Sequence, residues 1–294
     1  MNIISLDTID STNEEAKRRL RNAVAKGPDA EKELLETAIT ARTQTGGKGR
    51  RGKSFYSPDT GNSLYISFIL PPPARPQSLE LLTVAAAVAV CISIEEILAD
   101  SDDTNQQPTI KWVNDVLLNN KKICGILAES VFTNSLDIVA VNSNDDATLN
   151  GGNMSEPAEQ TLRGIVLGIG VNINMNETDF PEDLMGIAGS LQLQEGEQEL
   201  FTEILCRNMS GIYKDMENGQ TCAVLDLYRK FESTTGHKVR LMKHVLSDDG
   251  RYADNRAIFA YAKAIADDGG LVVVYDDGSE EVLRSGEISI RDAG

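Results

Sequence analysis

Residues 78–99 carry the strongest helical signal in the chain, a stretch rich in alanine, leucine and valine. A segment that apolar is stable only where it is buried, in lipid or in a protein core. Its most apolar part, residues 84–94, falls well short of the eighteen or so residues of a membrane span. The helix is therefore expected to pack on a sheet, and short apolar runs on either side supply the strands. Such runs lie at residues 2–9, 36–42, 64–70, 109–113, 122–131, 136–141 and 162–169. The first seven residues lack the basic-then-apolar order of a secretion signal, so the chain reads as cytoplasmic with no membrane partner.

Local signals place the other helices. Ser11 and Thr12 each precede a glutamate by three residues (Glu14, Glu15), the spacing of a capping box, and the helix begun there should stop at Gly27-Pro28. Further helices are expected at 199–218 and 221–233. A polar turn at Asn119-Asn120-Lys121 joins two short strands as a hairpin. Residues 142–161 are rich in Asn, Asp, Gly and Glu and read as a disordered or long surface insertion. Composition changes at Thr234-Thr235-Gly236. Beyond it, alternating segments at 239–242, 257–266, 271–275 and 287–290 are separated by Asp-Gly turns, as in a small β-barrel. The expected fold is α+β: a mixed sheet with helices over residues 1–233, then a small β-barrel over 234–294.

Charge and reactive side chains narrow the chemistry. Twenty-eight basic residues face 45 acidic ones, a net charge of -17, so the chain has no global attraction for DNA or an anionic membrane. An anion site has to be built locally. The four cysteines (Cys91, Cys124, Cys206, Cys222) show no C-x-x-C spacing and read as free thiols in a reducing compartment. With only His237 and His244, zinc hydrolase and histidine-based acyl-transfer mechanisms are poor candidates.

One local anion site is spelled out at Gln44-Thr45-Gly46-Gly47-Lys48-Gly49-Arg50-Arg51-Gly52-Lys53. Four cations fall within six residues, interleaved with glycines that let backbone N–H groups approach a ligand. A solvated basic turn is the plainer alternative. The spelling is not a Walker loop, and the Gly47–Gly52 match to a dinucleotide fingerprint has no helix after it. Next, Lys111-Trp112-Val113-Asn114-Asp115 leads an apolar strand into an amide and a carboxylate, suited to ribose or magnesium–phosphate contact, or simply to a turn. In Lys122-Ile123-Cys124-Gly125-Ile126-Leu127-Ala128-Glu129 an amine opens an apolar strand, and Gly125 leaves room for a flat ligand. In Gly168-Ile169-Gly170-Val171-Asn172 a strand loses side chains where a ligand, or a bulge, could lie.

These segments, in this order and preceded by Asp10-Ser11-Thr12-Asn13, resemble the biotin protein ligase family. The resemblance covers essentially the whole chain, adding Ser57-Pro58, Leu64-Tyr65-x-Ser67 and the Gly286-Glu287-Ile288-Ser289 ending of that family's SH3-like C-terminal barrel. It implies a biotin/lipoate ligase-like mixed sheet. It also implies an enzyme that joins biotin and ATP, with Mg2+, into biotinyl-5′-adenylate. Biotin then passes to a lysine of a biotin carboxyl-carrier domain. By the same resemblance Ser11, Thr12, Asn13, Gln44, Lys48, Gly49, Arg50, Lys122, Gly125, Gly168 and Gly170 serve biotin. Lys48, Arg50, Arg51, Phe55, Lys111, Trp112, Asn114, Asp115 and Asn172 serve the nucleotide. Lys122, Arg50 and Asp115 carry the chemistry, Asp115 with the metal.

The chain departs from the family at Lys48, Phe55 and Val113, where arginine, tryptophan and proline are usual. Its first residues already belong to the catalytic region, with no preceding helix-turn-helix, so no DNA partner is expected. A homodimer through an exposed sheet edge is a weaker expectation. Rivals are a lipoate–protein ligase of the same fold and a non-catalytic biotin-binding protein. Without ligand, the loop at 45–56 is expected to be mobile, its cations repelling one another.

Overall fold

The computed structural model describes residues 1–49, 55–58, 61–99, 106–134, 160–246, 252–284 and 288–291. The expectations for Arg50, Arg51, the strand at 136–141, most of the 142–161 insertion and the Gly286-Glu287 ending lie outside them. The chain packs as two compact units: Met1–Ala74 with Gly125–Met175, and Arg75–Cys124 with Asn176–Gly294.

The first unit opens with strand β1 (Asn2–Ile9), helix α1 (Thr12–Lys26), a short helix α2 (Pro28–Leu34) and strand β2 (Thr37–Gln44). Strands β1 and β2 are parallel, as a helical crossover allows. Strand β3 (Ser63–Leu70) is buried at every position, the mark of a central strand covered on both faces. It lies antiparallel to β2 on one side and to β7 (Gln160–Asn172) on the other, and β7 neighbours the part of β6 (Lys121–Asn134) that begins at Gly125. Helix α1 packs on β2, β3 and β7, with Ala16, Leu20 and Val24 against Ile39, Ile69, Val131 and Val166.

In the second unit the apolar stretch divides into a short α3 (Pro76–Glu80) and α4 (Leu82–Ile97), with a turn at Leu81 between them. Helix α4 is buried at Leu82, from Val84 through Cys91, and at Ser93 and Ile94. It packs against α5 (Glu197–Glu217), α6 (Thr221–Phe231), β4 (Pro108–Lys111) and β5 (Asp115–Leu118), so helices as well as strands cover it. Ser93 stays satisfied there by donating to the Ala89 carbonyl at 2.7 Å. The C-terminal part is a five-stranded antiparallel sheet of β8 (Lys238–Leu246), β9 (Tyr252–Ile265), β10 (Leu271–Val274), β11 (Glu280–Leu283) and β12 (Ile288–Arg291), in the order β11-β10-β9-β8-β12. No helix among the described residues is long and apolar enough to cross a membrane.

Several local expectations are corrected. The capping box at α1 does not form: Ser11 makes no side-chain cap, and Glu14 and Glu15 are taken by Lys17 and by Arg18 and Arg19. Charged partners one turn along compete better for a carboxylate than one backbone N–H does. Gly27-Pro28 ends α1 but starts α2, because Pro at the first helical position gives up only an N–H that would be unpaired anyway. The single strand expected at 109–113 ends at Lys111; residues 112–114 turn and β5 returns, with Lys111 opposite Asp115. The expected Asn119-Asn120 turn then joins β5 to β6, both asparagines at positive φ (52° and 61°) as a two-residue hairpin of this kind requires. Gln160 and Thr161, read as insertion, are the first residues of β7, and residues 280–283 form a strand that the alternation did not reveal.

Candidate active site

One cavity in the first unit gathers residues from segments far apart in sequence. Ser11, Thr12 and Asn13 at the start of α1, Gln44 at the end of β2, and Lys48 and Phe55 of the glycine-rich loop line it. Tyr65 of β3, Leu127 of β6 and Gly168, Ile169 and Gly170 of β7 complete the wall. In the β3/β7 ladder Ser67 faces Gly168 and Tyr65 faces Gly170. The space left by the two glycines is not open. A Cβ on Gly168 would lie 2.1 Å from Asn13 Oδ1, and one on Gly170 would lie 2.8 Å from the Phe55 ring. The glycines let Asn13 and Phe55 lie against the strand, the Phe55 ring meeting that of Tyr65 edge-on at 6.4 Å.

The polar groups of this cavity are joined in a chain of hydrogen bonds. Gln44 Oε1 accepts from the Thr12 backbone N–H (2.7 Å) and from the Thr12 hydroxyl (3.1 Å). Ser67 Oγ stands 2.8 Å from Thr12 Oγ1 and 2.6 Å from Asn13 Oδ1, its one proton facing both. Asn13 Nδ2 donates to Glu129 Oε2 at 2.8 Å, and Lys17 Nζ bridges Glu129 (2.9 Å) and Glu14 (2.7 Å). Burial works against the Lys17 charge, yet these two carboxylates raise its pKa above the ordinary value. Glu14 in turn is held low by Lys17 and then by Lys48, which reaches it from the loop. Asp10 faces away from this work. A two-pronged contact with Arg18 (2.8 and 2.9 Å) and the Ser11 N–H hold its carboxyl down to about 2.

The described ends of the glycine-rich loop are anchored by backbone hydrogen bonds. Thr45 and Gly46 donate to the Ile9 and Asp10 carbonyls, and Phe55 donates back to Gly47 at 3.0 Å. Gly47 is required there, since a Cβ would sit 2.4 Å from Ser57 Oγ. Gly49 is half-buried, and Arg50 and Arg51 fall outside the described residues.

Within the second unit, Lys122 Nζ lies 2.6 Å from Asp115 Oδ1, both side chains about a third exposed (39% and 34%). The Lys122 backbone is clamped: its N–H donates to Ile187 and its carbonyl accepts from Gly189. Lys121 points elsewhere, to Glu177 at 3.0 Å, as alternation along a strand requires. Trp112 is buried, donating its indole N–H to the Gly269 carbonyl (3.1 Å) and its backbone N–H to Thr234 (2.8 Å). Its N–H is thus spent on anchoring the hairpin. Asn114 and Asn172 are also buried, Asn172 ending β7, while Gly125 is half-buried in β6. Among the described residues no three His, Cys, Asp or Glu side chains gather as a metal site. Cys91, Cys124 and Cys206 are free and buried, and burial pushes their thiols up, Cys206 to about 11.

Residues 9–146 match the biotin/lipoate A/B protein ligase family, and residues 250–291 match the biotin protein ligase C-terminal domain. The chain belongs to the biotin protein ligase family. It is 32% identical over 196 residues to the bifunctional ligase/repressor BirA of Bacillus subtilis, covering 67% of this chain and 48% of that protein. The chain therefore spans about half the length of that relative. The Escherichia coli protein of the same name is 24% identical over 292 residues, 98% of this chain and 74% of its own length. Among solved structures, the biotin protein ligase of Aquifex aeolicus in complex with biotin and ATP shares the fold, with a TM-score of 0.68 at 22% identity, covering 99% and 98% of the two chains.

Of the residues singled out in the sequence, Ser11, Thr12, Asn13, Gln44, Lys48, Phe55, Gly168 and Gly170 line this one cavity. Lys17 and Glu129 were not foreseen. Glu129 ends the third motif and Lys17 lies one helical turn past Asn13, but neither spacing says that they meet.

Proposed function

We propose that the chain is an ATP-dependent biotin–protein ligase, with residues 1–233 catalytic and 234–294 a C-terminal domain. It forms biotinyl-5′-adenylate and passes biotin to a lysine of a carboxylase's biotin carboxyl-carrier domain. The cavity carries this reading. Its buried donors and acceptors, set among Phe55, Tyr65, Leu127 and Ile169, suit a small ligand with a neutral polar head and an apolar body.

The first step joins two anions, a carboxylate and the α-phosphate, and this chain meets it with fixed charge. Lys122, its backbone clamped at both ends, supplies the cation for that junction. Asp115 holds the Lys122 ammonium until the anions arrive. A single carboxylate is also what magnesium carried in on ATP needs, the rest of its shell being phosphate and water. When bound, the ion screens the phosphate charge. The second step needs no nucleophile from this chain, since the adenylate is already activated, which suits a cavity without His or Cys. A homodimer through β1, an edge strand, belongs to the same reading.

Pyrophosphate release tests the proposal. It should require both biotin and ATP, and lipoate should not replace biotin. Release with lipoate alone points to the lipoate rival, and binding without release to the non-catalytic one.

A further inference from the structure

We infer that Glu129, backed by Lys17, is a positioning residue that sets the hydrogen-bond polarity of the cavity by fixing which way the Asn13 amide faces. An asparagine amide is nearly symmetric in shape, so its orientation is decided by its partners. An ionised carboxylate only accepts, so Glu129 Oε2 at 2.8 Å holds Nδ2 on its own side. Oδ1 is thereby turned toward Ser67 and Gly168. The reverse orientation would set two acceptors against each other. At the far end of the same chain, the Thr12 N–H fixes Gln44 Oε1, which leaves Gln44 Nε2 free to face Gly47.

The cavity thus shows an acceptor at Asn13 and a donor at Gln44. A ligand with N–H and C=O on one small head satisfies both. Lys17 keeps the setting in place. Its ammonium, 11% exposed, binds Glu129 and Glu14 together, so Glu129 is not free to swing away. That the ligand is biotin rests on the function proposed above, but the polarity of the cavity does not.

The test compares the full-length chain with Glu129→Gln, Lys17→Met and Lys17→Arg. A glutamine can donate as well as accept, so Asn13 is released to turn over. In calorimetric titration with biotin alone, Glu129→Gln should bind about tenfold more weakly or worse, the loss of one charge-assisted bond. Its KM for biotin should rise to match, with kcat and the KM for ATP within about twofold. Lys17→Met should weaken binding less, and Lys17→Arg should restore it, since a guanidinium keeps both carboxylates. Unchanged affinity in Glu129→Gln, or a fall in kcat with KM intact, overturns the inference. The Asn13 side-chain amide is also followed by NMR without ligand, alongside the melting temperature. A resonance that moves in a variant still melting near wild type supports positioning, and one that stays put refutes it. Should wild type bind no biotin, the biotin reading fails, while this resonance still decides the role of Glu129.

Discussion

The cavity of the first unit and the Lys122–Asp115 pair of the second prepare for ligand in different ways. Thr12, Asn13 and Gln44 of the cavity, with Ser67 behind them, are each less than a tenth exposed and are hydrogen-bonded to one another. Lys122 and Asp115 are each about a third exposed and joined by an ion pair. Buried neutral groups cannot be left unpaired, so recognition of a polar head has to be built in advance as a closed network. A half-exposed cation is solvated in the meantime and can exchange its carboxylate for an incoming anion at little cost. The comparison predicts large chemical effects at the charged pair and packing effects at the cavity.

The largest effect is expected at Lys122. Replacing it with alanine should slow biotin-dependent pyrophosphate release about 10²- to 10³-fold, as when one preorganised charge is removed from a reacting centre. Lys121→Ala, which breaks only an exposed pair with Glu177, should stay within about 0.5 kcal/mol. Equal losses in the two variants would mean that the start of β6 is not the charged edge of the reaction.

Gly168→Ala comes next. Its Cβ would overlap Asn13 Oδ1 at 2.1 Å, so Asn13 must leave Ser67 or Glu129. A loss of about 1–3 kcal/mol in stability is expected by denaturant titration, with weakened biotin binding. Wild-type affinity in this variant would show that the network is not the recognition element. Gly170→Ala should cost less, because the atoms it meets at 2.8 Å belong to the Phe55 ring, carried on the loop. Combining it with Phe55→Ala should cancel most of the loss; simple additivity would place the clash elsewhere.

The smallest effect concerns Asp10, which is paired but points away from the cavity. Its carboxyl is lowered from 3.8 to about 2 in the folded chain by Arg18 and the Ser11 N–H. A lowered carboxylate adds stability above its unfolded pKa, and that stability is lost as pH falls through the folded value. Asp10→Asn should therefore be less stable by under about 1 kcal/mol at neutral pH, its exposure limiting the effect. The difference should shrink as pH falls below about 4 and vanish only below the folded value of about 2. A difference that does not shrink between neutral pH and pH 2 would show that Asp10 acts through something other than its charge.

Much of this arrangement was legible in the sequence. Alternation and turn residues located most strands, and the paired asparagines at 119 and 120 located a hairpin, because those signals come from neighbours along the chain. Where two local signals competed, the reading went astray. Glu14 and Glu15 had the spacing of capping residues, but Lys17, Arg18 and Arg19 lay as near and bound them more strongly. The turn at 112–114 was legible only as the plainer alternative at Asn114-Asp115, because Trp112 and Val113 continue the apolar run of the strand before them and carry no turn signal of their own.

What the sequence determined by itself was the inventory: which glycines, cations and amides the chain carries, in which order, and the family to which that order belongs. Only the tertiary structure decided how they are used. Gly168 and Gly170 read as room for a ligand, and folding fills that room with Asn13 and Phe55. Lys17 and Glu129, 112 residues apart, carry no pattern that joins them, and become partners only when α1 packs beside the strands. The reason is physical. Backbone propensity and periodicity act over a few residues, whereas hydrogen bonds and charges act over a few ångströms, and only the fold converts one distance into the other.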